Sequence, residues 1–341
     1  MSGWWRRGGV VAGKWLFRLE VRETGLMLSD ELRQVVAVLG GAVVGAQVLA
    51  GGFSHETSLL TLTDGQVVVR LGGPDHAIET AVMAAARRHV PVPQVLKVLP
   101  TVSVDLSARS AMVLEYVVGT PLSQVLEEGG AGGMELGWLG AEVGRVAACL
   151  SSATFDHPGF FADAHLSVTP ERPWSQQLPE FGADCMAAAP DARLDTATRK
   201  AWADLCAAHA PALVSVDDHA RLVHSDLNPK NILVTRTSRG WRVDAILDWE
   251  FSFSGCPYAD AANMTRFGAD YPDDFLDGFR AAFADHLPTD LTSGKDWLYL
   301  GRVLDMFALS DLVTRPIGHP IAEQAARKIR RWVADGVPDS R

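Results

Sequence analysis

Apolar and polar positions along the first third of the chain alternate between two periods. SDELRQVVAVLGG carries its apolar residues at helical spacing, with Ser29 or Asp30 as N-cap and Gly40 or Gly41 as the stop. From Val43 to Leu71 the texture turns to β-branched runs, broken by Gly51-Gly52 and by the hairpin signal Asp64-Gly65, which predicts three strands in meander order. The stretch from Asp75 to His89 is again helical and is ended by Pro91 and Pro93, and further strands are expected at QVLKVLP and SAMVLEYVV. After Gly119-Thr120-Pro121 the chain becomes rich in Ala, Leu and Arg and is predicted helical, with interruptions, to about Val216. Two short strands joined by the polar turn Thr237 to Gly240 follow, and beyond Asp260 the pattern is helical to the end. Residues 1–28, with Trp4, Trp5 and Trp15 beside Arg6, Arg7 and Lys14, show no clear period and are read as an extension. The expected organisation is α+β: that extension, a β-rich N-lobe over 29–118, and a mainly helical C-lobe over 119–341.

Composition narrows the classes of function. With 341 residues, 48% hydrophobic and 21% charged, the chain has enough apolar material for two lobes around a full core. A net charge of −10 argues against nucleic acid as the main ligand, since phosphate-backbone binding relies on clustered Lys and Arg. The four cysteines, Cys149, Cys185, Cys206 and Cys256, form no C-x-x-C pair, so neither a zinc knuckle nor a disulfide framework is suggested and reduced thiols of a cytoplasmic enzyme are expected. The first twenty residues have no apolar core of signal-peptide length. The apolar run Val35 to Phe53 approaches membrane-spanning length, but its glycines, Gln47 and β-like sequel suit a helix end followed by strands, so no membrane span is expected.

The segment RLVHSDLNPKNILVTR concentrates candidate chemistry. The chain has no G-x-x-x-x-G-K-[ST], because Ala46-Gln47 follow the glycines at 40–45, and it has no H-E-x-x-H, G-x-G-x-x-G or G-x-S-x-G. His224, Ser225 and Asp226 do not form a triad among themselves, since successive residues of an extended chain point to opposite faces. What remains is His224-x-Asp226 with Asn231 five residues on, then a hairpin, then Asp248 at a strand end. Phosphoryl transfer from a nucleotide needs an Asp to accept the proton of the attacking hydroxyl, and an Asn and a second Asp to hold divalent metal against the phosphates. Asp226, Asn231 and Asp248 supply those groups in that order.

These residues resemble the aminoglycoside phosphotransferase family, small-molecule kinases with a bilobal protein-kinase-like fold. His224-Ser225-Asp226-x(4)-Asn231 is similar to the family's H-[GS]-D-x(4)-N loop, and AILDWEFSFSGCPYADAAN to its I-[IL]-D-[FW]-E block with the following G-x-P-x-x-D; the likeness runs from about residue 45 to about residue 310. The resemblance implies Asp226 as catalytic base, Asn231 and Asp248 as ligands of Mg²⁺, and His224 and Asp260 as braces of the loop. In the N-lobe it implies a phosphate-covering turn over Gly51, Gly52, Phe53, Ser54 and His55, a basic residue on the third strand, here Arg70 where protein kinases carry Lys, and Glu79 as its helix partner. Met112 to Val117 resembles the hinge, where the backbone of Glu115 and Val117 would meet the base of ATP or GTP, with Gly119 turning the chain into the C-lobe.

Acceptor candidates are Lys230, Asp270, Asp273, Asp274, Trp297, Tyr299, Asp305 and Asp311, a set whose acids would suit an amine-bearing antibiotic. The expected activity is transfer of the γ-phosphate to a hydroxyl of a small molecule, an antibiotic first, by a monomer or homodimer. A metabolic kinase for a sugar or amino alcohol and a non-catalytic nucleotide-binding pseudokinase module are the rivals. The latter would be marked by loss of Asp226, Asn231 or Asp248, all of which are present.

Overall fold

The computed structural model describes residues 28–49, 55–73, 75–100, 109–128, 132–291 and 297–338. The first helix, α1 (Asp30–Leu39), starts at Ser29, whose side chain accepts the Leu32 N–H, and stops at Gly40, which takes the left-handed φ of 74° that a side chain would resist. Strands β1 (Val43–Leu49), β2 (Glu56–Leu62) and β3 (Gly65–Leu71) follow as the expected meander, then α2 (His76–Ala86), β4 (Val95–Leu99) and β5 (Ala111–Glu115). The β2–β3 turn sits on Thr63-Asp64, with Gly65 opening the next strand opposite Leu62.

These strands form one antiparallel sheet in the order β1-β2-β3-β5-β4. Strand alternation gives it two apolar faces. Leu60, Val67, Val69, Leu71, Ala111 and Val113 pack with Leu32 and Val35 of α1, whereas Met112 and Leu114 pack with Val82, Met83 and Ala86 of α2 in a core that continues into the C-terminal part. Arg70, between Val69 and Leu71, therefore points to the α2 side.

The C-terminal part contains β6 (Thr120–Pro121), α3 (Leu122–Glu128), α4 (Gly133–Leu150), α5 (Trp174–Ala188), α6 (Thr196–His209), β7 (Arg221–Val223), β8 (Ile232–Thr237), β9 (Gly240–Ile246), β10 (Phe253–Gly255), α7 (Tyr258–Thr265), α8 (Asp273–His286), α9 (Trp297–Leu312) and α10 (Pro320–Asp335). The bilobal kinase-like α+β fold expected from the sequence is what is observed. Strands β6, β7 and β10 go beyond that expectation, being two or three residues long and so too short to show a period. Gly119 has an ordinary backbone conformation, and its lack of a side chain serves close packing instead: a Cβ there would lie 3.0 Å from the Leu233 Cβ. Among the described residues no helix is long and apolar enough to cross a membrane; the run at 35–53 divides between α1, β1 and residues outside those described.

Helices α4 and α8 meet backbone to backbone. A Cβ on Gly140 would stand 2.0 Å from the Phe275 carbonyl oxygen, and one on Gly144 2.2 Å from that of Phe279. Gly140→Ala is expected to cost about 1–3 kcal/mol, because forced separation of the helices exceeds the roughly 1 kcal/mol gained in helix propensity. Urea unfolding measures this directly, and a neutral or stabilising result would show that the two helices are free to part.

Candidate active site

Four hydrogen-bonded connections bring the chemistry together. Strand β7 pairs with β10, Val223 opposite Phe253, so the segment leaving β7 starts beside the one that follows Asp248. The hairpin β8–β9 closes with Ile232 opposite Ile246, and the Leu247 N–H donates to the Asn231 carbonyl at 2.8 Å. Asn231 and Asp248, seventeen residues apart, are thereby neighbours. The Ile246 N–H donates to the Pro91 carbonyl at 2.9 Å, tying this hairpin to the chain leaving α2.

The loop 224–231 is held by buried polar groups. Asp260 on α7 accepts the His224 N–H and the Ser225 N–H, both at 2.8 Å, and Asn263 one turn later donates to the Ser225 carbonyl at 2.6 Å. The His224 ring accepts the Asp226 N–H on Nδ1 at 3.2 Å, which assigns the proton to Nε2 and makes it the donor to the Leu247 carbonyl at 2.9 Å. Burial pushes His224 down to about 4, so the ring is neutral, a structural pin packed against Trp249 with ring centroids 4.6 Å apart. With both nitrogens committed to backbone, His224 has none left to activate Ser225. The hydrolase alternative thus fails for a firmer reason than strand alternation, since Ser225 itself has a left-handed φ of 72° and the chain is not extended there.

Asp226 faces two amides. Its Oδ1 accepts from Asn228 Nδ2 at 3.0 Å and its Oδ2 from Asn231 Nδ2 at 2.8 Å. Burial raises its pKa, against the pull of Arg266 and the two asparagines. Asn231 Nδ2 also reaches the Asp226 carbonyl, so its Oδ1 is the atom left for another partner. Asp260 is likewise raised by burial, to about 7, with the two backbone N–H groups acting the other way.

Across from this loop, Arg70 is buried in a set of acids. Its Nη1 donates to Glu79 at 2.5 Å, and its Nη2 lies 3.0 Å from His55 Nδ1, 3.3 Å from Asp248 and 3.8 Å from Glu250. Burial works against the guanidinium charge, but Glu79, Asp248 and Glu250 more than offset it and hold the Arg70 pKa above its ordinary value. Burial likewise opposes ionisation of Glu79, and His76 and Arg70 reverse this, so its pKa is lowered. Asp248 is pushed up to about 7, chiefly by burial and in part by Glu250. Like Ser225 it has a left-handed backbone, with φ of 67°. Such conformations on residues other than glycine cost about 1–3 kcal/mol and cluster where function demands them. His55, Asp248 and Glu250 place one potential ligand atom each within 4.8 Å of one another.

The structure therefore gathers Asp226, Asn231, Asp248, Arg70, Glu79 and His55 at one place, with His224 and Asp260 behind the loop. Gly52, Phe53 and Ser54 lie outside the described residues. Glu115 ends β5, its N–H donating to the Gln94 carbonyl at 2.8 Å, and Val117 follows two residues on. Lys230 is exposed on the turn over 229–231, its N–H bonded to Asn228 Oδ1. The other acceptor candidates are dispersed. Trp297 packs into the core, 5.0 Å from the Phe283 ring; Asp274 abuts Gly133; Asp270 accepts from Gln324 at 3.4 Å; and Asp305 is buried against Arg266 at 2.7 Å. Sequence reasoning assigned no role to Glu250, Asn263 or Arg266. For the last two a signal existed: Asp260, Asn263 and Arg266 recur every third residue, the spacing of one helix face.

Comparison with known proteins fits this arrangement. A model of the phosphotransferase enzyme family, APH, matches residues 45–297. No curated protein sequence matches the chain. Among solved structures, a thermostable mutant of aminoglycoside phosphotransferase APH(4)-Ia, in ternary complex with ADP and hygromycin B, superposes with a TM-score of 0.65 at 16% identity, covering 90% of this chain and 98% of that one. The GDP and kanamycin complex of APH(2″)-IIIa superposes with a TM-score of 0.60 at 16% identity, covering 90% and 95%.

Proposed function

The chain belongs to the phosphotransferase enzyme family, and we propose that it transfers the γ-phosphoryl group of ATP or GTP to a hydroxyl of a small-molecule antibiotic, with Asp226 as the base. The observation that carries this reading is the convergence of Asp226, Asn231 and Asp248 in front of the Arg70–Glu79 pair. The nucleotide-bound states of the structural neighbours support the donor, and their hygromycin B and kanamycin complexes support the acceptor class.

The acceptor hydroxyl gives its proton to the Asp226 carboxylate as its oxygen attacks the γ-phosphorus in line; the bond to the β-phosphate oxygen breaks and the nucleoside diphosphate leaves. Asn228 and Asn231 fix both carboxylate oxygens, so the base meets the hydroxyl in one orientation. Arg70, held by Glu79 and Asp248, would set its positive charge beside the phosphates. Glu115 would meet the base of the nucleotide through its carbonyl, its N–H being committed to Gln94, and Val117 through its N–H. The Asn231 Oδ1 and the Asp248 carboxylate are hard oxygen donors of the kind Mg²⁺ takes. Once bound there, Mg²⁺ would neutralise charge on the phosphates during transfer.

A panel of hydroxyl acceptors in an ADP-release assay tests the reading, with mass spectrometry looking for the gain of about 80 Da that a phosphate ester brings. The expected result is turnover of an antibiotic at least about tenfold faster, by kcat/KM, than of any sugar or amino alcohol, equivalent to about 1.4 kcal/mol at the transition state. The reverse order would make the protein a metabolic kinase. Tight nucleotide binding with no product from any acceptor would make it a binding module.

A further inference from the structure

Among the described residues, His55, Asp248 and Glu250 form the one set of three side chains whose ligand atoms are close enough to share a cation. A nitrogen of the protein's own already reaches all three. Arg70 Nη2 lies 3.0 Å from His55 Nδ1, 3.3 Å from Asp248 Oδ1 and 3.8 Å from Glu250 Oε2, and the His55 and Glu250 atoms are themselves 3.8 Å apart. The side chains of His55, Arg70 and Glu250 are 5% exposed or less, so water does little to screen the charges there.

The guanidinium is fixed in this direction from its other side. Its Nη1 donates to Glu79 of α2 at 2.5 Å, and its positive charge is permanent because arginine does not lose its proton in proteins. Asp248 is the more open member, with its side chain 19% exposed. Arg70 takes only its Oδ1, which leaves Oδ2 to share an ion with the Asn231 Oδ1. A further divalent ion brought between His55, Asp248 and Glu250 would have to displace Nη2 or stand beside it in a poorly hydrated place, where like charges repel strongly. Protein kinases, which carry Lys on the corresponding strand, hold two Mg²⁺. The difference follows from the shapes of the two cations: a guanidinium presents two nitrogens side by side, so one pairs with the helix acid while the other enters the ligand set, and a single compact ammonium does only the first.

We propose that Arg70 is a built-in substitute for a second metal ion: its Nη2 fills the set made by His55, Asp248 and Glu250, so the protein holds one divalent ion with its nucleotide, where a lysine at the same position would admit two. The proposal rests on the phosphotransferase reading in one respect, that a divalent ion enters at Asn231 and Asp248 with the nucleotide.

The test counts ions, so it does not depend on turnover. Mn²⁺, in place of Mg²⁺, is titrated into the unsubstituted protein, Arg70→Lys and Arg70→Gln, each with and without one equivalent of AMP-PNP, and bound ions are counted from the loss of the free Mn²⁺ signal in electron paramagnetic resonance. With AMP-PNP the unsubstituted protein is expected to bind one ion, and each variant a second, at least tenfold more tightly than any further ion on the unsubstituted protein. Without nucleotide, each variant is expected to gain at least tenfold in Mn²⁺ affinity, because Asp248 and Glu250 no longer face the guanidinium. Two comparably tight ions on the unsubstituted protein, no ion on it while AMP-PNP is bound, or no gain in any folded variant overturns the proposal. Should neither variant fold, the count on the unsubstituted protein decides alone. Failure of AMP-PNP to bind would count against the phosphotransferase reading, and the titrations without nucleotide still report on Arg70.

Discussion

Asp226→Asn is expected to lower kcat by roughly 10²–10⁴, the range a positioned general base contributes, while nucleotide affinity changes by no more than about threefold. The substitution removes the group proposed to take the hydroxyl proton and turns one carboxylate oxygen into an NH₂. That NH₂ must face the Nδ2 of either Asn228 or Asn231, both of which now donate to Asp226. One of these bonds becomes a repulsive donor–donor contact, so part of the loss would arise from reorientation of Asn228 or Asn231. Arg70 and the Glu115 carbonyl lie elsewhere, which is why the nucleotide should stay. Single-turnover transfer and fluorescence titration of the nucleotide separate the two effects. Undiminished transfer by the variant would remove Asp226 from the role of base.

The same proposed role predicts the pH dependence. As the proposed base Asp226 would work only as a carboxylate, and burial moves its pKa above the ordinary value, with Arg266, Asn231 and Asn228 limiting the rise and Glu250 adding to it. Activity should therefore be lost on the acid side at a pH higher than an exposed Asp would give, and recover as pH rises through the shifted pKa.

Contiguity explains which parts of this protein can be read from the chain. The proposed base Asp226, Asn231 and the loop brace His224 lie within eight residues, and Asp248 follows a hairpin of defined length, so spacing alone carries the geometry. Helix α1 and the meander show because a cap, a stop and a change of period are local. The environment of Arg70 does not show, because His55 comes from before β2 and Asp248 and Glu250 from after β9, 178 residues away in the case of Asp248. No period spans such a distance. The acceptor acids show the same limit from another side: α9 is apolar on most faces, and the composition of such a helix does not reveal that Asp305 turns inward to meet Arg266. The left-handed Ser225 and Asp248 also leave no mark, since neither is the glycine that usually announces such a backbone.

Arg193→Met is expected to destabilise the fold by about 3–5 kcal/mol while leaving the active site intact at temperatures well below the transition. Arg193 lies between α5 and α6 with its side chain fully buried, and all three guanidinium nitrogens are used. Nη1 donates to the carbonyls of Val313, at 2.7 Å, and Arg315; Nη2 donates to that of Pro316 at 2.5 Å; Nε pairs with Glu323 at 3.0 Å. Those carbonyls belong to the segment that leaves α9, where the helix has run out of N–H donors and its dipole favours a positive charge. Methionine replaces the apolar stem of arginine but supplies no donor, so the three carbonyls and Glu323 lose their partner together. Arg193→Lys should recover less than half of the loss, because an ammonium has three donors but not the planar spread that reaches two sides of the turn. Urea unfolding of the three proteins measures the effect as a lower midpoint at unchanged slope. A loss below about 1 kcal/mol for Arg193→Met would mean that water replaces the guanidinium at this turn, and that the join between α9 and α10 is held by its apolar contacts alone.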